Sequence, residues 1–245
     1  MTHLRIPGRF NGPPGSANGG YTCGLVAGLL EEGPCEVNLR APPPLERDLA
    51  VERVSEGVVV RDGATLVARG NRAVLDLDSG PPVTLQEASQ ASTAGVSRWG
   101  AAHPFPTCVV CGPDRAPGDG FGIFPAPVGH DGRFAASWQP HNSLAADDGT
   151  VRPECVWAAL DCPTSAPLAN YGEGPPIVLV RLTASLDSPV AVEEPHVVVS
   201  WELGRDGRKR EAACVLFDSA GRALARARAL WVELLEAGRR EPEVR

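Results

Sequence analysis

Two short segments, well apart in the chain, carry residues that complement each other chemically. The first, Gly15-Ser16-Ala17-Asn18-Gly19-Gly20-Tyr21, leads into the apolar stretch Cys23-Gly24-Leu25-Val26-Ala27-Gly28-Leu29-Leu30. The second is Val151-Arg152-Pro153-Glu154-Cys155-Val156-Trp157-Ala158-Ala159-Leu160-Asp161-Cys162. Each has the pattern of a buried helix with a marked start, but only the first opens on a glycine pair and only the second carries an acid within its apolar run. The first N–H groups of a helix have no intrahelical partner and lie at the positive end of its dipole. Gly19 and Gly20 would let an anionic atom approach those amides closely, with Asn18 as N-cap or as a further donor. Such donors suit a negative charge developing on a carbonyl oxygen, where each is worth about 3 kcal/mol in the transition state. The same pair also suits a plain flexible loop leading into a helix.

Asp161 follows Val156-Trp157-Ala158-Ala159-Leu160, which must be largely buried, and precedes Pro163, which is expected to end the helix. A carboxylate near a helix C-terminus opposes the dipole, and a buried unpaired one costs several kcal/mol more. Asp161 therefore needs a partner or a cavity wall. It would serve as a general base on water or as a nucleophile, or else as a structural acid bonded to Thr164 or Ser165. Tyr171 is a further residue able to position a water.

The segment Ser97–Gly120 is too rich in proline and glycine for a regular element and divides the chain. The expected organisation is an N-terminal module 1–96, a Pro/Gly/Cys-rich linker 97–120, a C-terminal module 121–236 and a solvated tail 237–245. Each half places a helix before a series of strands. In the first, Glu36–Arg40, Gly57–Arg61 and Ala64–Arg69 read as strands with a turn at Asp62-Gly63. In the second, 177–182, 197–201, 214–217 and 223–232 do so, with a turn at Ser219-Ala220-Gly221. Val37–Ala41 matches Val180–Ala184, and Asp62–Arg69 matches Ala220–Ala227, as an internal duplication would produce.

With those residues in view, the stretch Phe10–Tyr21 and the spacing from Arg152 to Asp161 resemble the helix starts of acyl-CoA thioesterase-like hotdog proteins. The resemblance implies an α+β tandem (double) hotdog, with two long antiparallel sheets each wrapped around a central helix. It also implies a thioesterase-like hydrolase acting on acyl-CoA or a similar thioester. In such proteins the glycine and the acid come from opposite helices. Here the acid position of the first helix falls near Ala27, and the glycine positions of the second are Pro153, which has no N–H, and Glu154. One composite catalytic site remains, Asn18, Gly19 and Gly20 with Asp161, and its symmetry mate is dead. That chemistry requires no metal or other cofactor. The alternative on the same fold is a non-catalytic acyl or acyl-CoA binder. A hydratase is disfavoured because neither helix carries the histidine such chemistry uses. Further stacking into a homo-oligomer through the sheets is compatible with this reading.

Cys108 and Cys111, with His103 upstream, form the one motif suggestive of a metal. A fourth ligand would have to come from His130, His141, Cys155 or Cys162. A single Cys-x-x-Cys followed by Gly112-Pro113 reads first as a tight turn with free thiols, and no metal is assigned. A zinc-organised interaction protein is the rival reading that it leaves.

Composition sets the outer bounds. Hydrophobic residues at 43% and charged residues at 22% are those of a globular chain, and 245 residues can bury a substantial core. The net charge of −7 argues against nucleic acid as a partner. Basic side chains are nearly all arginine; Lys209 is the single lysine. The run Arg205–Arg210 reads as a charged hairpin turn, and Arg222, Arg226 and Arg228 as exposed strand arginines. No apolar run suggests a membrane span or signal core, and the expected location is cytoplasmic.

Overall fold

The computed structural model describes residues 2–100, 103–169 and 175–234. Tyr171 and the expected tail from 237 lie outside them. The elements in chain order are β1 (Thr2–Arg5), α1 (Gly19–Ala27), β2 (Cys35–Leu39), β3 (Asp48–Val54), β4 (Gly57–Asp62), β5 (Thr65–Arg72) and α2 (Leu85–Gly100). They continue with β6 (Ala126–Val128), β7 (Arg133–Trp138), α3 (Pro153–Ser165), β8 (Ile177–Leu186), β9 (His196–Asp206), β10 (Lys209–Asp218) and β11 (Ala223–Glu233).

Among the described residues eleven strands form one antiparallel sheet in the order β1-β3-β4-β5-β2-β8-β11-β10-β9-β7-β6. The expectation of two separate sheets is thereby corrected. The strand order on either side of the β2–β8 seam is the same: β2-β5-β4-β3 mirrors β8-β11-β10-β9. At the seam Glu36 pairs with Thr183 and Val37 with Leu182. The physical reason for one sheet is that β2 and β8 would otherwise each expose a row of unpaired amides and carbonyls. The two matched segments Val37–Ala41 and Val180–Ala184 thus begin on these equivalent strands and face one another.

One face of the sheet carries α1 and α3. Helix α3 is apolar all round, and every residue from Cys155 to Ser165 is buried, as a helix enclosed on all sides must be. It does not end at Pro163. Proline removes one amide, and the carbonyls near the helix end are met by side chains instead. Thr164 Oγ1 donates to Asp161 O (2.6 Å), Ser165 Oγ to Cys162 O (2.7 Å) and Ser200 Oγ to Pro163 O (2.7 Å). Trp231 Nε1 in turn donates to Thr164 Oγ1 at 2.7 Å.

The opposite face of the second-half strands is covered by α2, which runs across the expected boundary between the N-terminal module and the linker. Its signal was present: Thr84 and Glu87 form a reciprocal capping box, with Glu87 N–H donating to Thr84 Oγ1 and Thr84 N–H to Glu87 Oε2. Val197, Val199, Val215 and Phe217 turn towards α2, while Val198, Cys214 and Leu216 face the α3 side. Burial on both faces accounts for the unbroken apolar runs in β9 and β10, where a one-sided strand would alternate.

Helices α1 and α3 cross with backbones nearly touching. A Cβ added to Gly20 would lie 2.7 Å from Trp157 O, and one at Gly24 would lie 2.5 Å from Glu154 Cα. Gly24→Ala gains about 1 kcal/mol of helix propensity but meets backbone that cannot rotate away, an overpacking of about 1–3 kcal/mol. Net destabilisation of up to about 2 kcal/mol is expected from urea unfolding. Gly28→Ala is the control, because the nearest atoms there are 3.6 Å away and the residue is already αR. Equal stabilities of the two variants would contradict the close crossing.

Candidate active site

The start of α1 is fixed before anything binds to it. Asn18 Oδ1 accepts from Tyr21 N–H (2.8 Å), its own N–H donates to Phe10 O (2.8 Å), and Thr22 Oγ1 donates to Asn18 O (2.9 Å). Phe10 stacks on Tyr21 with ring centroids 3.8 Å apart. Asn18 is therefore the N-cap, and its cap leaves the side-chain amide group turned away from the helix.

That amide meets Asp161. Asp161 Oδ2 accepts from Gly20 N–H at 2.7 Å and from Asn18 Nδ2 at 3.2 Å. The two chemically suggestive segments come together across the α1–α3 crossing, with Asn18 and Asp161 each only 2% exposed. The roles within the glycine pair divide. The missing side chain of Gly20 makes room for α3, and its amide is already bonded to the carboxylate. Gly19 lines the neighbouring cavity, and its amide has no partner among the described residues. The expected pair of donors for an external oxygen thus reduces to one amide, with the other orienting the acid.

The carboxylate itself is held on one side only. Oδ1 is buried and unpartnered among the described residues. Burial is the main reason the Asp161 carboxyl is pushed up to about 7; the charge of Cys108 adds to this, while Gly20 N–H and Asn18 pull the other way. Thr164 and Ser165, the partners of the alternative structural reading, donate to the backbone carbonyls of Asp161 and Cys162 and not to the carboxylate.

A cavity of about 770 Å³ opens at this point. Its wall is mostly apolar, with Leu39, Trp99, Phe105, Leu168, Leu179 and Trp231 around Asn18, Gly19 and Asp161. Arg205 and Arg210 of the charged hairpin also line it, both within reach of Glu233, which pairs with Arg210. Arg226 and Arg228 are paired with Asp187 and Glu211.

Three cysteines stand beside the acid. Cys108, Cys111 and Cys162 bring their sulfurs within 4.8 Å of one another, and the Cys108 and Cys162 sulfurs are 3.6 Å apart. Of the expected candidates, the Cys-x-x-Cys pair is joined by Cys162 rather than by His103. His103 lines the same cavity; its Nδ1 accepts from Phe105 N–H at 2.9 Å, so in the neutral ring the proton sits on Nε2, which is buried and unpartnered among the described residues. Hydrogen bonds from the Cys111 and Cys162 thiols draw the Cys108 thiol down, and those two are pushed up in return.

The second helix repeats the frame of the first without its chemistry. Arg152 caps α3 with no side-chain hydrogen bond, and Pro153 takes the position of Gly19. Ala27 occupies on α1 the place that Asp161 holds on α3.

Neither a protein-family model nor a curated protein matches the sequence. Solved structures do. The tesB protein of Mycobacterium avium subspecies paratuberculosis aligns over 95% of this chain and 91% of its own at 12% identity, with a TM-score of 0.57. An acyl-CoA thioesterase II, TesB2, from Mycobacterium marinum aligns over 92% of each chain at 11% identity, with a TM-score of 0.58. At such identity the likeness is one of fold, and the fold is that of the TesB-type double hotdog.

Asn18 joins the cap of α1 to the orientation of Asp161, and the two parts are separable by substitution. Asn18→Ala removes the cap, worth about 1 kcal/mol, and a buried donor to a carboxylate, worth about another 1–2. Chemical denaturation should show a loss of about 2–3 kcal/mol. Asn18→Ser restores the capping oxygen but not the amide and should recover about 1 kcal/mol. Wild-type stability in both variants would remove Asn18 from the frame of the site.

Proposed function

We propose that this chain is a thioester hydrolase acting on acyl-CoA or a similar thioester through a single composite site between its two helices. The observation that carries the reading is the half-held carboxylate. Asp161 has one oxygen fixed by Gly20 N–H and Asn18, the other unpartnered among the described residues, at the wall of a large apolar cavity that Gly19 also lines.

The chemistry follows from that arrangement. The acyl chain lies against the apolar wall, and the carbonyl oxygen accepts from Gly19 N–H at the positive end of α1. Asp161 Oδ1 takes a proton from water, whose oxygen attacks the carbonyl carbon. The tetrahedral intermediate collapses with cleavage of the C–S bond, and the proton passes from Asp161 to the departing thiolate. Gly20 and Asn18 keep the carboxylate in place throughout, which lowers the orientational cost of the step. Fold likeness to acyl-CoA thioesterase II structures supports the choice of a thioester over other carbonyl substrates. Internal duplication followed by loss of one of two sites fits the repeated strand order and the substitutions at Pro153 and Ala27.

The test is release of free CoA from a panel of acyl-CoAs, with wild type and Asp161→Asn compared side by side. Loss of general-base catalysis is worth about 10²–10⁴-fold, and a fall of that size in Asp161→Asn with acyl-CoA binding retained is the expected result. Equal rates would remove Asp161 from the reaction. Tight binding by wild type with no release from any acyl-CoA would replace the hydrolase with an acyl-CoA binder.

A further inference from the structure

We propose that Cys108, Cys111 and Cys162 together hold one zinc ion at the wall of the cavity, with its fourth coordination position turned towards that cavity.

The sulfur geometry is the first argument. Zinc–sulfur bonds of about 2.3 Å in a tetrahedron place sulfurs about 3.8 Å apart. The Cys108 and Cys162 sulfurs already lie 3.6 Å from each other, and all three lie within 4.8 Å. Only small side-chain movements separate this triangle from a coordinating one.

The turn that carries the first two cysteines is shaped for this. Gly112 N–H donates to Cys108 O at 2.9 Å, and a Cβ at Gly112 would lie 2.5 Å from Cys108 N, so only glycine closes the turn so tightly. Closure brings Cys108 and Cys111 to the same side, with Cys162 arriving from α3. A donor of the kind that a metal thiolate uses as an outer shell is also in place. Asn18 Nδ2 lies 3.5 Å from the Cys162 sulfur and 4.0 Å from that of Cys108.

Soft thiolate ligands select zinc over calcium or magnesium. His103 is not the fourth ligand in this arrangement, because its Nδ1 accepts from Phe105 and its Nε2 carries the proton. Three protein ligands with a position left to the cavity are the pattern of a zinc site open to a small ligand. All three cysteines line that cavity. The ion would also tie the Pro/Gly-rich loop to α3, where Val109 and Val110 are fully buried without regular secondary structure.

The experiment is independent of turnover. Elemental analysis of the full-length chain, purified under reducing conditions, is expected to give about one zinc per chain. Cys108→Ser and Cys162→Ser should lose it, and Cys214→Ser, at a buried cysteine outside the triangle, should keep it. Exchange with cobalt(II) in the wild type should give a thiolate-to-cobalt charge-transfer band and intense tetrahedral visible bands. This reading stands even if the serine variants fail to fold. Adding a small thiol should shift the visible bands, and an unmoved spectrum would close the fourth position. A metal-free wild type that gives no charge-transfer band with cobalt would overturn the site. So would a disulfide between any two of the three cysteines in the protein purified with reductant, since no cation could then use both sulfurs.

Discussion

Two helices can lie with their backbones in contact only where one of them carries no side chains, and Gly20 and Gly24 supply such a face on α1. The partner at that face is α3, through Glu154, Trp157, Ala158 and Asp161. At this separation the Gly20 amide and the Asp161 carboxylate meet directly, at 2.7 Å. The start of α1 is then no longer a general anion site. One of its amides is spent on the acid of the other helix, and the charge of that acid is balanced by the positive helix end rather than by a cation. This contact leaves one carboxylate oxygen unpartnered among the described residues and leaves Gly19 as the remaining amide at the cavity.

The sheet makes the crossing possible by holding both helices on one face. Pairing of β2 with β8 joins the halves without an open edge between them, so the two helices are carried by a continuous hydrogen-bonded frame. The second half is additionally covered by α2 on its outer face, whereas β3 leaves Glu52, Arg53 and Val54 exposed. The halves are thus alike in strand order and unlike in what surrounds them. The same inequality recurs at the helix starts, where a proline and a glutamate occupy the positions of the glycine pair.

The loop between the halves also belongs to the site. The Pro/Gly-rich connector closes on itself through turns such as Cys108 N–H to Phe105 O and Asp114 N–H to Pro106 O, and it is also tied to the segment before α1. Val109 N–H donates to Asn11 O, Phe121 N–H to Val109 O, and Arg115 binds Thr107 O and Arg9 O. These bonds seat Phe105, Cys108 and Cys111 in the cavity wall beside Asp161. The apolar wall and the buried acid are therefore parts of one enclosure, and low polarity around the carboxylate is the reason its proton is held so tightly.

The sequence by itself determined the local pieces. The capped start at Asn18, the strands with their Gly-containing turns, the buried character of Val156–Leu160 and the unequal helix starts all follow from side-chain type and short-range spacing. The strength of Asp161 as a candidate came from the cost of burying a carboxylate, which needs no coordinates to argue. Other features rested on contacts between distant residues. The helix passes Pro163 because Thr164, Ser165 and Ser200 donate to carbonyls around it, and Ser200 comes from β9. The two expected sheets are one because a pairing between residues 35–38 and 181–184 lies beyond any local pattern. Gly20 serves helix packing as well as hydrogen bonding, and Cys162 joins Cys108 and Cys111, because the α1–α3 crossing and the loop path bring them together. Periodicity and propensity report what a residue prefers next to its neighbours in the chain; which amide reaches Asp161, and which sulfur completes the triangle, is decided by packing across the fold.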